Sequence, residues 1–183
     1  MKTLALFVHP SIKTARVHRA WQTAMEQASD VSVRCLYSVY PRWKIDTAAE
    51  QALLLTHERI AMVFPFYLYS PPPLLKKWMD DVLTFGWAYG PNTDALRGKE
   101  LVVATSTGGP QEGYHPGGYH NFSVEQLLLP LCQVANLVGM RFMKPFVVHK
   151  VRTMTEAEIA ASSLELISYL RAPQPFVLPE MRG

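Results

Sequence analysis

The residue types able to do chemistry gather in three short segments of the chain. The first holds His9, Ser11, Lys13 and Thr14, then Ala15, Arg16, Val17, His18 and Arg19 where a helical pattern begins. Hydroxyl and basic groups at a helix start suit an anion, because free N–H groups and the positive end of the dipole lie there. The segment is not a Walker loop, since no glycines precede a Gly-Lys-Ser/Thr, and it contains no GxGxxG turn. A phosphate site and an ordinary capped, solvated helix start both fit these residues.

The second segment is Pro65, Phe66, Tyr67, Leu68, Tyr69 and Ser70, followed by Pro71-Pro72-Pro73. Aromatic side chains stiffened by prolines can wall a flat ring, and backbone N–H groups of such a loop can reach ring carbonyls. The same aromatics can equally cover a sheet edge or a subunit interface. The third segment is Ser106, Thr107, Gly108 and Gly109, then Tyr114, His115, Gly117, Gly118, Tyr119 and His120. Paired glycines let a backbone approach a ligand closely. Tyr114 and His120 can both donate protons, and histidine titrates near neutral pH. His115, His120 and Glu112 invite a metal reading, but their spacing matches no zinc pattern and no cysteine stands near them in sequence. No metal is expected.

These segments need a scaffold, and the hydrophobic pattern supplies one. Residues 4–8 form an unbroken apolar run, as a strand buried on both faces does. The run stops at His9-Pro10, short of the ~7–15-residue core of a signal peptide, and reads as the first strand. Helical spacing follows over residues 15–28, then strand character over 31–36. Residues 37–46 read as an aromatic, proline-broken loop and 47–57 as a second helix. Strands are expected at 60–64 and 101–105, with a helix at 74–83 and a long loop at 85–98. Residues 106–121 are too glycine-rich for regular structure. A helix over 123–138 opens on Ser123 and Gln126, a capping-box pair, and Pro130 kinks it. A fifth strand lies within 142–149. The last helix spans 155–170, with Thr155 as its cap and Glu156 and Glu158 in its first turn.

Strand and helix alternate five times. That pattern predicts an α/β domain over residues 1–172: a doubly wound, five-stranded parallel sheet in the flavodoxin-like order 2-1-3-4-5. Residues 173–183 read as a C-terminal tail. In such sheets ligands bind beyond the carboxyl ends of the strands, where the strand order reverses, and the three chemical segments follow strands one, three and four.

Composition narrows the function classes. The chain has 183 residues, 49% apolar and 18% charged, which excludes a disordered chain and allows a full hydrophobic core. A net charge of +3 is too weak and dispersed to argue for nucleic acid. The two cysteines, Cys35 and Cys132, exclude a disulfide scaffold and fit a reducing cytosol. No stretch reaches the ~20 apolar residues of a membrane span.

The ordered motifs resemble one family. They are His9-Pro10 after the first strand, the segment from Phe64 to Ser70, Pro72 to Trp78, Asp81 to Gly90, Gly98-Lys99, Ser106 to Gly109 with Tyr114 and His120, and Leu129-Pro130. Together they resemble the flavodoxin-like NAD(P)H:quinone oxidoreductases, and within them the bacterial ancillary proteins of glutathione-regulated potassium-efflux systems. The resemblance implies FMN, with FAD the alternative, bound between two subunits of a homodimer. NADH or NADPH and a quinone would take turns at its exposed face. It implies that His9 and the segment Thr14, Ala15, Arg16, Val17 and His18 hold the flavin phosphate end. Pro65, Phe66, Tyr67, Leu68 and Tyr69 would hold the ring system with Ser106, Thr107, Gly108 and Gly109, and Tyr114 and His120 would assist reduction. The family has serine at Ala15 and asparagine at His18, so Thr14, Arg16 or His18 would have to replace those hydrogen bonds. The resemblance also implies an alternative role, a regulatory subunit of a membrane potassium/proton antiporter. The location is then the cytoplasm or the inner face of the cell membrane.

Overall fold

Alternate residues of a strand point to opposite faces, and in the central strands of this chain both sets are apolar. The computed structural model describes residues 1–173 and Pro175. In β1 (Thr3–Phe7), Leu4 and Leu6 enter one core while Ala5 and Phe7 enter the other. β3 (Arg59–Pro65) repeats this with Ile60, Met62 and Phe64 against Ala61 and Val63. β4 (Glu100–Ser106) sets Leu101 and Val103 against Val102 and Ala104. Strands with no polar face belong in the middle of a sheet covered on both sides. The half-buried β2 (Val31–Cys35) takes the edge beside β1. All pairings are parallel, with Leu6 between Arg34 and Met62 and with Met62 next to Val103.

Helices cover both faces. Val17 and Trp21 of α1 (Arg16–Glu26) pack with Ile159 and Leu166 of the C-terminal helix (Glu156–Arg171) on one side. The Trp21 indole N–H donates to Ser162 Oγ at 3.0 Å and joins those two helices. On the other side lie Leu54, Leu74, Trp78 and Leu131 from three further helices. In chain order these helices follow α2 (Leu36–Val39) as α3 (Thr47–Leu55) and α4 (Pro73–Val82), and then, after α5 (Val124–Leu127), α6 (Leu129–Leu137). The C-terminal helix is α7. Asp46 caps α3 by accepting from the Ala49 N–H at 3.0 Å, and capping boxes at Ser123 and Thr155 start α5 and α7.

The strand order β2-β1-β3-β4-β5 is the expected one, with three local differences. The fifth strand is split into β5 (Arg141–Phe142) and β6 (Phe146–Val148), which pair with the two ends of β4. Lys144-Pro145 separates them, because proline has no N–H to give the ladder. The helix expected over 123–138 is two helices meeting at Leu128, where Pro130 enters the first turn of α6 instead of kinking a continuous rod. The segment read as loop over 37–46 begins inside the helical turn α2. Of the expected tail, all but Pro173 and Pro175 lies outside the described residues.

The amino end of the sheet is fastened by charge. The buried Arg59 donates from Nε to Glu100 Oε2 at 2.7 Å, and Arg141 donates to Glu100 Oε1 at 2.9 Å. Arg59 also donates to the carbonyls of Leu170 and Ala172 at the end of α7. Breaking a buried pair from one side leaves an uncompensated charge. Glu100→Gln is therefore expected to lower unfolding stability by about 3 kcal/mol in a urea titration; a loss below ~1 kcal/mol would show that the pair is not an anchor.

Candidate functional site

Loops leaving the carboxyl ends of β1, β3, β4 and β6 converge on one side of the sheet. The Phe66 N–H donates to Ser106 O at 3.0 Å, and the Thr107 N–H donates to Val148 O at 2.9 Å. Val151 N–H in turn donates to Thr107 O at 3.2 Å and Lys150 N–H to Gly109 O at 3.1 Å. These bonds hold the glycine segment between its neighbours and fold the loop after β6 back across it.

Two adjoining cavities result, of about 310 and 590 Å³. The first is bordered by His9, the stretch Thr14 to His18, and Pro65, Phe66, Tyr67, Ser106 and Gly108. The second lies over Gly108, Gly109, Leu68 and Tyr69, beneath Tyr114 and His120. All the residues expected to bind or react border one cavity or the other except Thr107. Thr107 is buried directly behind the glycines, donating from Oγ1 to Gly109 O at 2.9 Å.

At the first cavity α1 starts on Ala15, which offers no side-chain cap, so the free N–H groups of that helix end lie among the lining residues. The expected basic and hydroxyl contributions are partly committed elsewhere. Thr14 Oγ1 donates to Ser11 O at 3.1 Å, and Arg16 Nη2 lies 2.5 Å from Glu156 Oε1, tying α1 to α7. His9 Nδ1 accepts from the Ser11 N–H at 3.1 Å. His18 is 3% exposed and its Nε2 has no hydrogen-bond partner among the described residues. Burial pushes its pKa down to about 3, nearby His9 adds to the effect, and a backbone hydrogen bond at Phe64 opposes it. Burial lowers the pKa of His9 as well. At neutral pH both imidazoles are uncharged.

The aromatic loop is a two-residue hairpin. Tyr67 and Ser70 exchange N–H···O bonds of 3.0 Å, which puts Leu68 and Tyr69 at φ 46° and 65°. Neither side chain favours that left-handed region, and such strain persists only where the surroundings enforce it. The turn lifts Leu68 into solvent at 93% exposure.

In the second cavity the rings of Tyr114 and His120 stack with centroids 3.9 Å apart and planes 13° apart. The Tyr69 hydroxyl lies 3.3 Å from His120 Nδ1, and the Tyr119 ring meets His120 edge-on at 4.9 Å. This needs space that only glycine leaves: a Cβ at Gly109 would sit 2.9 Å from His120 Nε2. Burial raises the pKa of Tyr114, hydrogen bonding with Thr107 opposes it, and its hydroxyl keeps its proton at neutral pH. The metal candidates are dispersed. Glu112 pairs with Lys150 at 3.4 Å and His115 Nδ1 lies against Pro116 O. Among the described residues no group of three His, Cys, Asp or Glu side chains is placed to hold a metal.

The sequence reading missed His149 and Arg152. His149 Nδ1 lies 2.9 Å from Thr107 Oγ1, and its ring leans on Tyr114 at 5.6 Å. Arg152 borders both cavities. Their signal was position, since both follow a strand at the carboxyl side of the sheet, but no cluster of unusual residues marks them.

The family described as having a flavodoxin-like fold matches residues 1–170. An uncharacterized NAD(P)H oxidoreductase of Bacillus subtilis, YdeQ, is 44% identical over 93% of this chain and 86% of its own length. The potassium-efflux ancillary protein KefG of Pectobacterium carotovorum is 35% identical over 95% of both chains. General stress protein 14 of Treponema denticola, solved in complex with FMN, superimposes with a TM-score of 0.89 at 38% identity, over 93% of this chain and 98% of that one. An NADPH-quinone reductase of P. pentosaceus superimposes with a TM-score of 0.84 at 31% identity, over 92% and 97%.

The buried His18 generates a pH prediction. Its folded pKa lies below the ordinary 6.5, so between pH 6.5 and about 3 the unfolded chain binds the extra proton. Stability should then fall on acidification by about 1.4 kcal/mol per pH unit from this group alone. Urea titrations between about pH 6.5 and 5 should show wild type losing ~2 kcal/mol more than His18→Asn; equal losses would mean that His18 takes up its proton in the folded protein.

Proposed function

The chain belongs to the family with the flavodoxin-like fold, whose model spans residues 1–170, and on that premise we propose an FMN-dependent oxidoreductase that passes a hydride from NADH or NADPH to a quinone. The observation that carries the reading is the pairing of a cavity bordered by the free N–H groups of α1 with a second one topped by stacked proton donors. The residues fit the group. The uncapped start of α1 and the orphaned His18 Nε2 suit the phosphate end. Gly108 and Gly109, whose space a Cβ would deny to Arg152 and His120, let backbone lie flat against a ring.

Bound FMN would supply the hydride chemistry that no side chain of this site possesses. The chain does the rest. Phe66 and Tyr67 wall the ring opposite the Ser106–Gly109 segment. Tyr114 Oη and a ring nitrogen of His120 donate hydrogen bonds to the quinone oxygens as negative charge develops there. Tyr69 and Tyr119 keep the His120 ring from turning away.

A homodimer completes the proposal. Leu68, which borders the second cavity, Phe85 at 70% exposure and Phe122 at 54% stand in solvent, and burial between two copies would remove them from water. The second reading, a regulatory subunit of an antiporter, is supported by the similarity to KefG. Specific co-purification with an antiporter, unaffected by loss of redox activity, would favour it. No helix among the described residues is long and apolar enough to cross a membrane.

Anaerobic absorbance tests the enzyme reading. The FMN-loaded protein should be yellow, bleach with NADH or NADPH, and regain colour with a quinone. His120→Ala and Tyr114→Phe should keep the flavin spectrum and slow reoxidation by about tenfold to a hundredfold. Absence of flavin uptake would refute the reading, and wild-type reoxidation in both variants would leave the pair a structural role. Sedimentation should show a dimer at micromolar concentration that Leu68→Asp weakens; an FMN-loaded monomer would contradict the dimer.

A further inference from the structure

Two arginines border the first cavity, and their surroundings differ. Arg16 is committed: its guanidinium donates to Glu156 Oε1 and, at 2.9 Å, to Met154 O. Arg152 has no carboxylate within ion-pairing distance among the described residues. The bond from Val151 N–H to Thr107 O fixes its backbone, and its side chain lies over Gly108, where a Cβ would come within 3.3 Å of its Nε. There it borders both cavities at the point where they meet.

What surrounds the guanidinium calls for negative charge. The free N–H groups at the start of α1 line the same cavity, as does the buried His18, whose Nε2 has no partner among the described residues. The histidines supply no charge at neutral pH, since burial depresses both. The one unpaired cation on the cavity wall is therefore Arg152, among the described residues. A planar guanidinium matches a phosphate in bidentate fashion, whereas it gains little from a neutral polyol.

We propose that Arg152 is the residue that makes this site select a phosphorylated ligand, its guanidinium closing over Gly108 onto a phosphate monoester whose remaining oxygens accept from the first N–H groups of α1. The proposal rests on the flavin reading and deepens it: FMN is chosen over riboflavin by a residue of the loop after β6, not by the first loop alone. Thr107 sets this geometry by receiving the Val151 N–H.

Riboflavin and FMN differ only in the phosphate, so the pair isolates the claim. Binding is read by quenching of flavin fluorescence, and inorganic phosphate is titrated against the flavin-free protein by thermal unfolding. Arg152→Met should weaken FMN about 10–100-fold, the worth of a charge-assisted hydrogen bond or two, and leave riboflavin unchanged. Arg152→Lys should recover part of the loss. Phosphate should raise the melting temperature of wild type and not of Arg152→Met. Retained riboflavin binding certifies the fold of each variant. Equal weakening of both flavins, or weakening of neither, overturns the proposal while the flavin reading stands. Should wild type bind neither flavin yet gain stability from phosphate through Arg152, the flavin reading falls and the phosphate clamp stands. Failure of phosphate as well overturns both.

Discussion

Burial of both faces of the sheet is the constraint on which the rest depends. Along the middles of β1, β3 and β4 every side chain enters one core or the other, and polar residues of these strands stand only near their ends, such as Arg59, Glu100 and Ser106. Reactive groups can stand only where the strands stop. Parallel pairing puts all the carboxyl ends on the same side, and four loops there must share one space. Their mutual N–H···O bonds, from Phe66 to Ser106, Thr107 to Val148 and Val151 to Thr107, turn that crowding into fixed geometry.

Within that space the limiting quantity is clearance. The stacked Tyr114–His120 pair sits so close to the glycine segment that one added carbon at Gly109 would collide with the imidazole. Thr107 supports the same segment from below, receiving Val151 N–H at its carbonyl and facing His149 at its hydroxyl. The aromatic hairpin contributes Tyr69 at the cost of two left-handed non-glycine residues. A wall of this kind, rigid backbone on one side and a caged imidazole on the other, suits a flat ligand that must leave one face open to a second molecule.

The fold was largely legible because apolar runs and helical spacing report burial directly. Residues 4–8 and 60–64 belong in the sheet by their unbroken apolar runs, and Thr155 with Glu156 and Glu158 marks a helix start that the structure bears out. Errors came where short-range rules compete. Pro130 suits a kink in one helix by sequence, but proline at the start of a second helix costs less, and that is where it stands. Lys144-Pro145 interrupts a strand whose apolar pattern continues through it. At the site, the segments around Tyr67, Gly108 and His120 announced themselves by clustering unusual residues. Arg152 and His149 did not, because their partners at Gly108 and Thr107 lie more than forty positions away and meet them only through the sheet. The sharing of Arg16 with Glu156 was equally invisible, being a contact between helices at opposite ends of the chain.

The central claim is that one flavin occupies both cavities, phosphate at the start of α1 and ring between Phe66 and the Ser106–Gly109 segment, with Tyr114 and His120 over its open face. A crystal structure of the protein soaked with or grown in FMN tests it most directly. Density should run continuously across the two cavities, with the phosphate within hydrogen-bonding distance of the Arg16–His18 backbone and the ring against Gly108 and Gly109. A phosphate lodged elsewhere, or a ring lying outside the cavity beneath His120, would contradict it.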